Sequence, residues 1–481
     1  MSTGRKIFSN TSFQLLGHLF HLLLNVITMA LVARYLGVEG YGRYAYIFVL
    51  ISMFIILTDL GLNDIVVRDL SKDRSRLSRM IVDLIWLKLI LGFVVAVISI
   101  VSVKLLGVPD EVMILFVWAS ASLVLMSLSS IGSIVFRVQL KMGRFVIATL
   151  ARDSLLLVSV YLVTILQFGI RELIWANLLA QGVNAIVTFI LMRESMTSSQ
   201  EPFDRRAWAA TIRSAVPLGL AYMIVTLYAS IDTILLDKMV GEEAVGYYNA
   251  AYKFVFQAIF IPIAFVNSVF PFMAEYWESN REKLKVMFQK TYDLMVIIAI
   301  PMGASVTVLA PKLILLIYGR EYSPSVLALQ VLIWGVVVMF QSIVFGYTMV
   351  VLNEQKKSLF INIGGLLTNV ILNLLLIPYF TFIGAAVATV ITELFVTAPT
   401  IYIIQKKMKY TLSLTKLYKS LIAGALCALL LVVTNSLHIV LQLALLTLGY
   451  LFFIYKLKLI SKEDIQIVLQ KRKPAEAAQV H

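Results

Sequence analysis

The chain has 481 residues, of which 60% are hydrophobic and only 14% charged, with a mean hydropathy of +0.90. A soluble domain carries about 25% charged residues, and here the apolar excess runs from end to end, which excludes a soluble enzyme with or without a single anchor. Lys and Arg number 41 against 27 Asp and Glu, a formal +14, and in a membrane protein that excess first asks which side holds the cations.

From the amino terminus, Met1 to Asn10 is a short segment with Arg5 and Lys6. The apolar stretch behind it is long enough to span and has no small-residue cleavage pattern, so it reads as a first helix and not as a removed signal. A span takes about 20 apolar residues. Fourteen such stretches follow in order, near residues 10–33, 43–62, 81–106, 111–136, 145–167, 172–192, 214–237, 246–272, 291–317, 324–352, 359–379, 382–404, 417–436 and 438–457. The expected fold is an all-helical polytopic membrane protein with 14 transmembrane helices, and the even count places both termini on one side.

The loop charges choose the side. With the amino terminus inside, 31 of the 41 cations fall on inward segments, among them Arg74, Arg76, Lys406, Lys407 and the Lys471–Lys473 run, and seven fall outward. Cytoplasmic loops retain Lys and Arg, so both termini are expected in the cytoplasm of a cell-membrane protein. The cations are spread over many short loops that touch anionic lipids, with no basic patch interleaved with stacking aromatics, so no nucleic-acid partner is expected. The single cysteine, Cys427, lies in an apolar run and leaves no disulfide framework. Walker, HExxH and GxSxG sequences are absent, so neither an enzyme nor a cofactor is read here.

One repeat stands out. The turn GVEGYGRY (Gly37–Tyr44) matches GEEAVGYY (Gly241–Tyr248) at four of eight positions, 204 residues apart. Both copies sit on the same side, the mark of parallel repeats about an axis along the membrane normal. The expected organisation is two six-helix lobes around a central cavity, 1–200 and 201–410, then an added helix pair at 411–460 and a cytoplasmic tail at 461–481.

Ionisable groups in lipid are costly and need water, a partner or a passenger. Lys88, Arg152 and Lys253 are the cations at depth, with Asp59, Asp153, Asp232 and Asp237 as acidic counterparts. Mutual pairing and exposure to a cavity are both open to them. Asn249, Lys253 and Gln257 recur every four residues and predict one polar stripe, and Gln14, His18, His21, Asn25 and Thr28 share a face of the first stretch. Two histidines without a companion ligand do not make a zinc site, so no metal is expected.

Several segments carry a family resemblance: ARYLGVEGYGRYAYIF from Ala33, TDLGLNDIVVRDL from Thr58, DTILLDKMVGEEAVGYYNAAYKF from Asp232, YGREYSPSVLALQVL from Tyr318 and LNLLLIPYFTFIGAAVATVITELF from Leu372. In these the chain resembles the polysaccharide or O-antigen (Wzx-like) flippases of the multidrug/oligosaccharidyl-lipid/polysaccharide exporter superfamily. The resemblance implies export of a polyprenyl-pyrophosphate-linked oligosaccharide to the outer leaflet by alternating access, with other polysaccharide-assembly proteins as partners. On that reading Arg152, Lys253, Lys88, His18, Asn25, Asn249 and Gln257 would hold the passenger, and Asp59, Asp232 and Asp237 would serve as ion-coupling or counter-charge groups. The last two helices would wall a groove for the isoprenoid tail. The alternatives are a cation-coupled multidrug exporter, a lipid II flippase, disfavoured because His18 and His21 stand where that family has arginines, and a polysaccharide polymerase.

Overall fold

The computed structural model describes residues 3–72, 77–195 and 205–460. Arg74, Arg76 and the expected tail at 461–481 lie outside the described residues, as does the side chain of Gln14. The described residues contain no strand and run as α1 (Thr3–Ile55), α2 (Leu62–Lys72), α3 (Leu77–Leu105), α4 (Asp110–Val138), α5 (Met142–Ile165), α6 (Ile170–Met192) and α7 (Arg205–Met239). They continue as α8 (Glu242–Phe256), α9 (Phe260–Ser279), α10 (Arg281–Ile317), α11 (Ser325–Val351), α12 (Gln355–Met408), α13 (Thr415–Val433) and α14 (Ile439–Lys456).

Among the described residues twelve continuous segments are long and apolar enough to cross a membrane, where fourteen were expected. The chain is a multi-pass membrane protein, and the difference in count has a local cause. α1 and α12 are 53 and 54 residues long, about 80 Å each at 1.5 Å per residue, against a hydrocarbon core of about 30 Å. Each runs through two of the expected stretches and is interrupted by one residue outside helical geometry: Gly37 (φ 67°, ψ −176°) in α1 and Thr381 (φ 50°, ψ −133°) in α12. Only glycine reaches the first conformation without a clash. For a β-branched threonine the second costs about 1–3 kcal/mol.

α12 doubles back at that strained residue. Glu354, just before its start, lies 2.9 Å from both Lys357 and Lys407, the latter at its far end. Hydrogen bonds from these two ammonium groups hold the Glu354 carboxyl below its usual range. A Cβ at Gly384 would fall 2.5 Å from the Leu376 carbonyl oxygen, so glycine is what lets the two arms of the hairpin approach.

The chain forms two compact units. The first holds Met1–Ala250, Ile314–Ser325 and Leu366–Ala385; the second holds Ala251–Leu313, Val326–Gly365 and Ala386–His481. In the first unit α2 is a short amphipathic helix between the expected stretches 43–62 and 81–106. Its Leu62, Val66 and Leu70 are buried, four residues apart, and Val66 and Leu70 pack with Ile81, Leu84, Ile134 and Phe136, while Arg68 stays exposed. In the second unit α13 rests on α10, where Gly424 sits against Ile300 and Ala304. Lys312 binds the carbonyls of Asn435 (2.6 Å) and Leu437 (3.3 Å) and the Gln442 amide oxygen (2.8 Å), while Lys419 reaches the Leu457 carbonyl (3.0 Å). Cations thus satisfy the orphan carbonyls at the C-terminal ends of α13 and α14.

The two repeated turns meet inside the first unit. A Cβ on Gly42 would lie 1.8 Å from the Glu242 carbonyl oxygen and 2.9 Å from the Gly246 nitrogen, and one on Gly246 would lie 2.2 Å from the Val38 carbonyl oxygen. Val38 and Glu242, like Gly42 and Gly246, are equivalent positions of the repeat, so the contact is reciprocal in the manner of a two-fold interface. Gly42→Ala and Gly246→Ala are each expected to destabilise the protein by about 1–3 kcal/mol through overpacking. Gly182→Ala, where nothing lies within 4 Å of the new Cβ, should leave stability unchanged or raise it. Thermal unfolding in detergent, followed by intrinsic fluorescence, reads the difference.

Candidate functional site

The polar face expected on the first stretch forms, and α5 completes it. His21 Nδ1 lies 2.7 Å from Asp153 Oδ2, and the second carboxylate oxygen of Asp153 accepts from Arg152 Nε (2.9 Å) and Nη2 (2.7 Å). The His18 ring stands 5.8 Å from that of His21. Asn25, one turn further on, is half-buried and forms no hydrogen bond among the described residues.

This cluster faces protein and not lipid. Leu16, Leu19, Phe20, Leu23 and Ile27 of α1 are 41–59% exposed; at about 100° per residue they occupy the side of the helix opposite His18, His21 and Asn25. On α5 the exposed stripe is Ile147, Val158, Leu162 and Ile165, again well away from Arg152 and Asp153. A guanidinium has five N–H donors. Asp153 takes two of them, and Arg152 has no other hydrogen-bond or ion-pair partner among the described residues, with 22% of its side chain exposed. Three donors are therefore open on a cation turned away from lipid.

Lys88 is placed differently. Its side chain has no exposed surface, and its ammonium binds Asp59 Oδ1 at 2.5 Å and the Thr58 carbonyl at 3.3 Å. Asp59 also accepts the Asn63 backbone N–H at 3.3 Å, so the pair pins the bend through which α1 passes into α2. Asp59 is a counter-charge to Lys88.

The polar stripe expected on α8 divides. Asn249 is buried and binds Thr233 Oγ1 (3.2 Å) and the Val245 carbonyl (3.1 Å), joining α8 to α7. Gln257 falls past the helix end, in a 3-10 turn at Gln257–Ile259, which rotates it out of the four-residue register. Lys253 remains, half-buried and without a hydrogen-bond or ion-pair partner among the described residues.

Asp232 of α7 sits in a buried network. Its oxygens accept from the Tyr248 hydroxyl (2.7 Å) and the Asn373 amide (2.7 Å), and Asn373 also touches Asn369 Oδ1 at 3.1 Å. Asn373 Oδ1 is buried with no donor to it among the described residues. Asp237, half-buried, lies one turn further along α7. Spacing on α12 put Asn369 and Asn373 on one face, but their meeting with α7 rests on packing that no local pattern encodes.

Removing one member of the buried pair tests which cations are structural. Asp59→Asn strands the Lys88 ammonium and is expected to destabilise by about 3–5 kcal/mol, whereas the double replacement Lys88→Met with Asp59→Leu should recover most of that loss. Unfolding midpoints of the three purified variants decide it.

Comparison with known proteins follows the same lines. The model of the family described as polysaccharide biosynthesis protein matches residues 7–277, and the MatE model matches residues 217–375. "Probable flippase AglR" of Haloferax volcanii is 30% identical over 169 residues, 34% of this chain and only 35% of AglR's own length. The "Putative O-antigen transporter" of Shigella dysenteriae is 20% identical over 387 residues, 79% of this chain and 95% of that protein. Among solved structures, "Lipid II flippase MurJ, inward closed conformation" has the same fold, with a TM-score of 0.77 at 14% identity over 93% of this chain and 99% of that one. With its model covering more than half of the residues, the chain belongs to the polysaccharide biosynthesis protein family.

Proposed function

We propose that this protein flips a polyprenyl-pyrophosphate-linked oligosaccharide from the cytoplasmic to the outer leaflet of the cell membrane, for surface polysaccharide or glycan synthesis. Support comes from family membership and from relatives named as flippases and O-antigen transporters. It acts as a transporter and not as an enzyme. Reading each break, at Gly37 and at Thr381, as separating two crossings gives fourteen from the twelve continuous segments; the proposed arrangement has both termini cytoplasmic, two lobes of six crossings at 1–200 and 201–410, and the pair at 411–460 added to them. The lobes alternate in exposing the passenger's path to either face.

The single observation that carries the assignment to a phosphorylated passenger is the state of two cations. Among the described residues Arg152 keeps three open donors and Lys253 has no hydrogen-bond or ion-pair partner. An unpaired cation at membrane depth is unfavourable by about 2.5–3.5 kcal/mol, and a diphosphate supplies both the charge and the acceptors these groups need. His18 and Asn25, on the same face as His21, which shares Asp153 with Arg152, offer donors to the sugar, as does Gln257. Lys88 and Asn249 hold helices together. Asp232 with Asn369 and Asn373 is the ion-coupling group, Asp237 an accessory charge, and Asp59 the counter-charge of Lys88.

Lys253→Met gives the cleanest test, because it removes a charge that stabilises nothing. Folding is expected to be equal or better, while flipping of lipid-linked sugar in a deletion strain falls at least about tenfold. Lipid-linked oligosaccharide should accumulate on the cytoplasmic leaflet, measured by accessibility to an added glycosidase, with drug sensitivity unchanged. Full export by a folded Lys253→Met, Arg152→Gln double variant removes the phosphate reading. Drug sensitivity on deletion, without sugar accumulation, transfers the chain to the multidrug class, and lost chain polymerisation with normal flipping transfers it to the polymerases.

A further inference from the structure

His21 and Asp153 are half-buried and buried ionisable groups to which the flipping reading gives no task. Their arrangement is specific. Asp153 is shared, one oxygen with His21 and the other with Arg152, so the three side chains form one hydrogen-bonded row across α1 and α5. With a neutral imidazole donating from Nδ1, the row carries no net charge: the guanidinium and the carboxylate cancel. With the imidazole protonated, the same hydrogen bond stays in place and the row carries one positive charge beside the three open donors of Arg152.

We propose that this row is a proton-linked anion site, in which protonation of His21 raises the affinity of Arg152 for a phosphate-bearing headgroup. The inference rests on the flippase reading and deepens it. Among the described residues His21 has no ion-pair partner besides Asp153, and the His18 ring stands 5.8 Å from its own. Of the elements packed on α1, α4 carries Asp110, Glu111 and Arg137 at its ends, and α6 carries Arg171 and Glu172 in its first turn. α3 carries Lys88, tied to Asp59, and Asp83, which accepts from Trp208, with Lys104 in its last turn. α7 carries Asp232, held by Tyr248 and Asn373, with Asp237 and Lys238 near its end. Arg144 at the start of α5 binds Glu194. None of these is bonded to the row.

Linkage makes the effect reciprocal. If a proton on His21 strengthens anion binding, then binding the anion draws a proton onto His21 by the same factor. Sugars attached through the diphosphate do not enter the argument, so the site selects for the charged linkage and not for the glycan.

Purified protein in detergent, titrated with farnesyl pyrophosphate between pH 8 and pH 6, tests the proposal. Affinity of the unmodified protein should rise at least about fivefold beyond the ligand's own titration as pH falls, in the range typical of coupled sites. Calorimetry in buffers of different ionisation enthalpy should register proton uptake on binding. His21→Gln, locked neutral, should bind weakly at both pH values with no uptake attributable to the protein; His21→Lys, locked positive, should bind tightly at both. Because the two variants bracket the charge, a fold defect in one leaves the other to decide, and the unmodified protein alone still shows or lacks the excess slope. Binding with the same pH slope in the protein and either variant overturns the proton link and leaves the flippase reading in place. Absence of binding by the unmodified protein at every pH overturns both.

Discussion

A charge inside a hydrocarbon layer has to be answered by something, and that requirement organises this protein more than any other. The described cations at depth meet it in three ways. Lys88 is sealed against Asp59 with no surface left. Arg152 is answered by Asp153 but keeps donors open, and Lys253 has no partner among the described residues. Buried pairs are poor evidence of net stabilisation, yet breaking one is expensive, so the first arrangement fixes helices and the other two hold something in reserve.

The segments that carry the family resemblance do a different job. Arg34, in ARYLG, donates to the carbonyls of Leu316 and Ile317 at the end of α10, and Tyr322, in YGREY, stands 2.9 Å from the carbonyls of Ala33 and Gly37. Each helix end is capped by a side chain from the other motif, which satisfies carbonyls that a break at Gly37 would otherwise orphan. Gly42 and Gly246 are small because backbone lies where a Cβ would go. Asp232 and Tyr248 come from one quoted segment and Asn373 from another, and they meet in one network. What is recognisable in the primary structure is therefore the joinery of the fold, while the unpaired Lys253 lies at the edge of one such motif.

Much of the architecture was legible because hydropathy is a long-range average: the stretches near 81–106, 111–136 and 145–167 correspond to α3, α4 and α5 within a few residues. The breaks in α1 and α12 also fall between expected stretches, 10–33 and 43–62 for Gly37, 359–379 and 382–404 for Thr381. Gly37 announces itself by type, whereas Thr381 adopts a positive φ that threonine disfavours. α2 was missed because its polar residues dilute the window average, though Leu62, Val66 and Leu70 show the four-residue spacing plainly. The site was legible by face and not by partner. Spacing found His18, His21 and Asn25 together, and could not say that Asp153 would stand between His21 and Arg152.

The division of the α8 stripe shows why partner assignment decides function. Asn249, Lys253 and Gln257 are equivalent on a helical wheel, yet one is locked to Thr233, one lies beyond the helix end and the middle one is a cation with no partner among the described residues. A neutral amide at a helix contact gains from a hydrogen bond and is held there. An ammonium with no acceptor among the described residues gains no such bond, and the proposed passenger would supply one. That asymmetry, between polar groups the structure satisfies and a cation it does not, is the physical ground on which a phosphorylated passenger is preferred to a cationic drug, since an organic cation would meet like charge at Lys253 and find no compensating acceptor there.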